Sequence, residues 1–244
     1  MRRLAPSDLP SRPQLPGVLE FLDGRNVITQ ADWAERREEL KSLILTYEYG
    51  SMPPARPVEL DATLSEGPAE GAEGFTRALE LRFGGQLWAK VDLSLPAYAP
   101  WPAPVIVRIG PGCPDLAATL DRGYAFCALH NQDLEPDKTG EQYEGPAQEA
   151  FPGYEWGCLA AWAWGASRVL DWLESVPEID ATKAVITGHS RTGKAALLAG
   201  ALDERFALVV PNGSGCGGAA TYRIYGKGCE TLEAITRPDR FLAW

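Results

Sequence analysis

Between Pro104 and Val210, short apolar runs alternate with segments of helical period, and the runs show no polar face. Val105-Ile106-Val107-Arg108-Ile109 and Tyr124 to Leu129 are such runs, and Lys183 to Thr187 and Phe206 to Val210 are shorter ones. A strand wetted on one side alternates apolar with polar; a strand apolar throughout needs cover on both faces. The segments between supply that cover. Trp156 to Leu173 sets Leu159, Trp162, Ala166, Val169, Leu170 and Leu173 on one helical face, and Ala195 to Leu202 reads as a second helix. The alternation predicts an α/β fold, a mostly parallel sheet flanked by helices in a three-layer sandwich. Trp162 is expected in the core, because an aromatic at that spacing packs inward.

Upstream the pattern changes. A proline-rich arm of 28 residues turns at Asp23-Gly24. Thr29 reads as an N-cap with Asp32 as its capping-box partner, and the helix that follows runs to about Tyr49, with Gly50 as its stop. Its Trp33, Leu40, Leu43, Ile44 and Tyr47 predict a face packed on the body. Val58 to Leu64 reads as a strand and Glu66 to Gly74 as a loop. Phe75 to Phe83 and Leu87 to Leu95 read as a hairpin about Gly84-Gly85. The whole is expected to be one domain over residues 1–244, in which 1–50 form an arm and helix packing on the body.

The charge of −10 disfavours a phosphate backbone as partner, so no nucleic-acid role is expected. Every apolar run is interrupted by charge, so no membrane role is expected either. Five cysteines, an odd number without CxxC spacing, suggest neither a zinc site nor a disulfide framework. With no apolar h-region at the start, a cytoplasmic location is expected, or secretion if a leader had been removed.

The segment that carries chemistry is Thr187-Gly188-His189-Ser190-Arg191-Thr192-Gly193-Lys194, between the strand Ala184-Val185-Ile186 and the helix Ala195 to Leu202. A serine nucleophile needs such a strand-to-helix turn, which lifts its hydroxyl above the sheet edge at a helix N-terminus. Gly188 stands two residues before the serine, but Thr192 replaces the usual glycine two residues after it, and Gly193 comes one later. A Ser N-cap at a βα turn fits the same residues. So, in part, does a phosphate-binding loop, since Gly188 to Lys194 matches G-x-x-x-x-G-K. Ala195 then stands where a magnesium-holding Ser or Thr is required, which makes a nucleotide binder the weaker alternative.

The run ITGHSRTGKAALLAGALDERFALVVPNGSGCGGAA, with YEYGSMPP at Tyr47 to Pro54 and GCLAAWAWGASRVLDWLE at Gly157 to Glu174, resembles carbohydrate esterase family 15, the glucuronoyl esterases of the α/β-hydrolase superfamily. The resemblance extends from about residue 30 to the end. It implies a serine carboxylic-ester hydrolase, without metal or organic cofactor, that cleaves glucuronate esters joining xylan to lignin. It implies Ser190 as nucleophile, Arg191 as the holder of the oxyanion and Lys194 as the residue that contacts sugar hydroxyls. A cation beside a forming oxyanion is physically apt, because charge-assisted donors are the strong ones. An acetyl-xylan or other carbohydrate esterase and a catalytically silent fragment or binding protein remain as alternatives.

Three departures shape the expectation. Gly213 stands where some members carry the triad glutamate, and others take that acid from a later strand. The residues after Tyr222 give no assignable sugar contacts. The family's histidine lies beyond Trp244, so the final strands are expected to be missing and activity to suffer. Only His130 and His189 are present. His189 is adjacent to the serine and is expected to pack behind it rather than act as base. His130, with Asn131, Gln132 and Asp133, is expected to line the rim of the cleft.

Overall fold

The structure, a computed structural model, describes residues 14–54, 59–71, 74–138, 145–223, 226–237, 239–241 and 243–244. The chain divides into two compact units, Met1–Ser51 and Met52–Trp244.

In the first unit the arm turns at Asp23-Gly24, as expected. Gly24 takes φ +88° and the Asp23 carboxylate accepts the Arg25 backbone N–H at 3.0 Å. Helix α1 (Gln30–Ile44) starts in a complete capping box: Thr29 Oγ1 accepts the Asp32 N–H, and the Asp32 side chain accepts the Thr29 N–H. It continues as a π-helical turn, Leu45–Tyr49, and stops at Gly50 with φ +79°. The expected apolar face is not what α1 buries. Trp33, Ile44 and Tyr47 are exposed, and the buried side chain is Arg36. Its guanidinium donates to the carbonyls of Val18 (3.2 Å) and Gly17 (3.3 Å) and pairs with Glu39, so hydrogen bonds tie the arm to the helix.

The second unit is built on a seven-stranded sheet of order β1-β2-β3-β5-β4-β6-β7. The strands are β1 (Leu60–Gly71), β2 (Gly74–Phe83), β3 (Leu87–Pro96), β4 (Ala103–Ile109), β5 (Ala125–Leu129), β6 (Ile179–His189) and β7 (Leu208–Asn212). The helices are α2 (Leu116–Asp121), α3 (Pro146–Ala150), α4 (Cys158–Leu173), α5 (Arg191–Leu202) and α6 (Leu232–Ile235). The β2–β3 hairpin turns at Gly84 and Gly85, as expected, both at positive φ, with Phe83 paired to Leu87. Its alternating Leu81, Phe83, Ala89, Val91, Leu93 and Leu95 are all in the core. Glu66 to Gly71, expected as loop, is the end of β1. It pairs with β2 through two register shifts, so ladder hydrogen bonds override the low strand propensity of Gly, Glu and Ala. The predicted start of this strand at Val58 lies outside the described residues.

Strands β1, β2, β3 and β5 pair antiparallel in turn, and β5, β4, β6 and β7 pair parallel. The chain leaves β4 through α2 to β5 on one side. It crosses back over β4 through α3 and α4 to β6, then goes on through α5 to β7. Right-handed crossovers in opposite directions put α2 on one face and α4 and α5 on the other. The contacts agree: α4 and α5 pack together over β4 and β6, while α2 touches β3 and β5. The neighbours β4 and β6 thus send the chain opposite ways, which opens a crevice at their carboxyl ends. Trp162 lies fully buried in α4, as expected, and donates its indole N–H to the carbonyl of Glu135 at 2.8 Å. No helix among the described residues is long and apolar enough to cross a membrane.

Candidate active site

Ser190 stands in that crevice, between the last residue of β6 and the first of α5. Its backbone has φ +57° and ψ −123°, a conformation L-residues rarely adopt, and it is the one non-glycine at positive φ among the described residues. The turn is held on both sides. The Ser190 N–H donates to Asn212 O at 3.0 Å, and the Ser190 carbonyl accepts the N–H groups of Gly193 (2.9 Å) and Lys194 (3.1 Å).

The glycine pattern around the serine now has a physical account. A Cβ on Gly188 would lie 2.2 Å from Thr192 O, so the turn closes only over a bare Cα. A Cβ on Gly193 would lie 2.8 Å from Asn212 O, so the second close approach falls there, against the end of β7. Thr192 is a brace: its hydroxyl accepts the His189 N–H at 2.9 Å and donates to the His189 carbonyl at 3.0 Å. A phosphate-binding loop does not fit, because the chain is already helical at Arg191 and the lysine is engaged elsewhere.

That lysine, Lys194, was expected to reach the hydroxyls of a bound sugar. Its side chain is instead 1% exposed. Its ammonium donates to Ser214 O at 2.6 Å and Glu230 Oε2 at 3.0 Å, and lies 5.0 Å from the centre of the Trp244 ring. These partners explain how a cation is tolerated in the first turn of α5, where the helix dipole opposes it. Gly215, at φ +62°, permits the arrangement, since a Cβ there would lie 2.5 Å from Glu230 Oε2.

Arg191 reaches a different acid. Its guanidinium pairs with Asp137, whose side chain is 3% exposed, and lies over the rings of Phe241 (5.2 Å) and Trp244 (5.8 Å). Those two rings stack on each other at 4.0 Å, and the Trp244 indole donates to the second Asp137 oxygen at 3.2 Å.

Neither histidine is shown touching Ser190. His189 is exposed and accepts from the Asn212 amide at 3.2 Å. His130, at the end of β5, donates Nε2–H to Asp92 on β3 at 2.6 Å, on the side of β5 away from β6. Its ring and the Asp92 carboxylate are both partly buried, and of its expected companions at the cleft rim, Asn131 is buried. No group of three or more metal-ligating side chains occurs among the described residues. No disulfide joins the five cysteines.

Sequence reasoning missed Asp137, Glu230, Phe241 and Trp244. The only signal for them was composition, two acids and two aromatics in loops, and nothing in their spacing pointed to Ser190.

A family model described as "Glucuronyl esterase, fungi" matches residues 84–240. The 4-O-methyl-glucuronoyl methylesterases of Podospora anserina and Hypocrea jecorina are each 34% identical to the chain over 221 residues. The match takes in 88% of this chain in both cases, and 44% and 45% of those relatives, so the chain spans about half the length of these curated relatives. Among solved structures, a glucuronoyl esterase from Solibacter usitatus superposes with a TM-score of 0.81 at 30% identity, covering 98% of this chain and 72% of that one. A promiscuous CE15 esterase from a marine bacterial metagenome gives 0.79 at 27% identity, covering 97% and 72%. With the elbow, the strand order and these likenesses in agreement, the chain belongs to the glucuronoyl esterase family, carbohydrate esterase family 15.

Proposed function

We propose that this protein is a serine carboxylic-ester hydrolase acting on glucuronate esters of the kind that join xylan to lignin. The observation that carries the reading is the backbone of Ser190, strained at φ +57° in a strand-to-helix turn beside the sheet's switch point. In this reading Ser190 Oγ attacks the uronic carbonyl carbon, its proton leaves to a base, and the carbonyl oxygen becomes a tetrahedral oxyanion. The guanidinium and backbone N–H of Arg191, at the first position of α5, are the donors nearest that charge. Collapse of the intermediate expels the alcohol, and water then frees the uronic acid. Lys194, being buried, acts on the sugar through Glu230, whose half-exposed carboxylate it holds in place to accept a hydroxyl.

A serine hydroxyl without an adjacent base is a weak nucleophile. The 244-residue chain is therefore expected to turn over slowly, roughly 10⁴- to 10⁶-fold below a complete triad. The test is hydrolysis of methyl and benzyl glucuronate esters, with acetyl-xylan alongside, by the purified chain and by Ser190→Ala and His130→Ala. Slow turnover lost in Ser190→Ala and kept in His130→Ala is expected. Turnover lost in both would make His130 the base, and binding of the ester without any Ser190-dependent turnover would make the chain a binding protein.

A further inference from the structure

Asp137 lies 54 residues before Arg191 in sequence, yet its carboxylate meets the guanidinium. Three observations set this contact apart from a surface ion pair. The Asp137 side chain is almost wholly buried while that of Arg191 is 40% exposed, so the fixed partner is the acid and the reaching one is the base. Both carboxylate oxygens are used, Oδ2 by Arg191 and Oδ1 by the Trp244 indole. The acid is itself held, because its backbone N–H donates to the Gln132 side chain at 2.9 Å. The ring that braces Asp137 also lies under both site cations, with Lys194 and Arg191 each within 6 Å of its centre. One face of that ring is taken by Phe241, so it serves to hold cations rather than as an open platform for a sugar.

Arg191 has a long side chain with many rotamers, and an exposed guanidinium would spend little time in any one of them. We propose that Asp137, braced by Trp244, is the positioning residue for Arg191: it fixes the guanidinium in place for the oxyanion before substrate arrives. The proposal rests on the esterase reading for its consequence in catalysis, but not for the contact itself. An interaction that only pre-aims a transition-state donor acts on turnover and leaves ground-state binding nearly unchanged.

Two measurements test it. In the first, kcat and KM for a benzyl glucuronate ester are compared for the unaltered chain, Asp137→Asn, Trp244→Phe, Arg191→Ala and the double variant Asp137→Asn/Arg191→Ala. Asp137→Asn is expected to lower kcat by roughly 10- to 100-fold with KM within about threefold, since misplacement of a reacting group by about 1 Å costs on that scale. Trp244→Phe keeps a ring but loses the indole donor and is expected to lose less. The double variant is expected to be no slower than Arg191→Ala alone, because Asp137 acts only through Arg191. Losses that multiply, or an Asp137→Asn chain with unchanged kcat, would overturn the proposal.

The second measurement needs no turnover, and so separates this idea from failure of the esterase reading. Arg191 is labelled with phenylglyoxal and followed by peptide mass spectrometry, with exposed Arg237 as the reference. Release from the carboxylate in Asp137→Asn is expected to speed labelling of Arg191 several-fold and leave Arg237 unchanged. An unchanged Arg191 rate in folded Asp137→Asn would sink the proposal even if the chain proved inactive. Should Asp137→Asn not fold, Trp244→Phe carries the same comparison with a smaller expected change.

Discussion

Thr192 and Gly193 depart from the usual glycine placement around a nucleophilic serine, and their neighbours say why. Restoring the usual pattern with Thr192→Gly removes two hydrogen bonds to His189 and puts glycine in the first turn of α5. That change is expected to cost about 1–2 kcal/mol. Gly193→Ala is expected to cost more, about 3 kcal/mol, because its Cβ would meet backbone of the β7 end rather than a movable side chain. Urea unfolding of the two variants checks the order; a more stable Thr192→Gly would show that the threonine is not a brace.

Where elements meet, Glu135 ties two helices together. Its carbonyl accepts the indole N–H of Trp162 in α4, and its carboxylate accepts the Ala147 N–H in α3 at 3.2 Å. Gly145, the N-cap of α3, admits that carboxylate, since a Cβ there would lie 2.1 Å from Glu135 Oε1. Burial pushes the Glu135 carboxyl up to about 7 from an ordinary 4.5, although backbone N–H groups of Ala147, Gln148 and Gly145 pull the other way. The folded chain therefore holds a proton that the unfolded chain releases. The stability this confers is fully present below about pH 4.5 and is lost as pH rises through 7, to the extent of about 3 kcal/mol. Glu135→Gln is expected to flatten that part of the profile. Denaturant midpoints of both proteins at pH 4.5, 6 and 8 read it, and parallel profiles would refute the assignment.

Across the whole molecule, the sheet ends differently at its two sides. Among the described residues β7 is the outermost strand beyond β6, and its Leu208 and Val210 are 56% and 42% exposed. An apolar strand at a sheet edge is a template for pairing with another chain. Leu208→Lys is expected to reduce self-association without lowering the melting temperature. It also lowers the magnitude of the net charge, from −10 to −9, so a gain in solubility would come from blocking the edge and not from general repulsion. Sedimentation over a concentration series decides it, and unchanged association would acquit this edge.

Much of this was legible in the chain itself. The strand-and-helix alternation, the Gly84-Gly85 hairpin, the Thr29 capping box, the inward Trp162 and the turn bearing Ser190 are each specified by residues a few positions apart, through backbone propensity and apolar periodicity. The π-helical end of α1, its buried Arg36 and the extension of β1 through glycine and glutamate were not, because partner strands and distant carbonyls decide them. The surroundings of Ser190 show the same division. The serine and its two cations lie within one short motif, but what those cations touch comes from 20 to 54 residues away, and the indole bracing Asp137 from 107. Local sequence determines where a nucleophile can be lifted from a sheet. Where a long, flexible guanidinium points depends on a buried charge that only the folded chain brings to it.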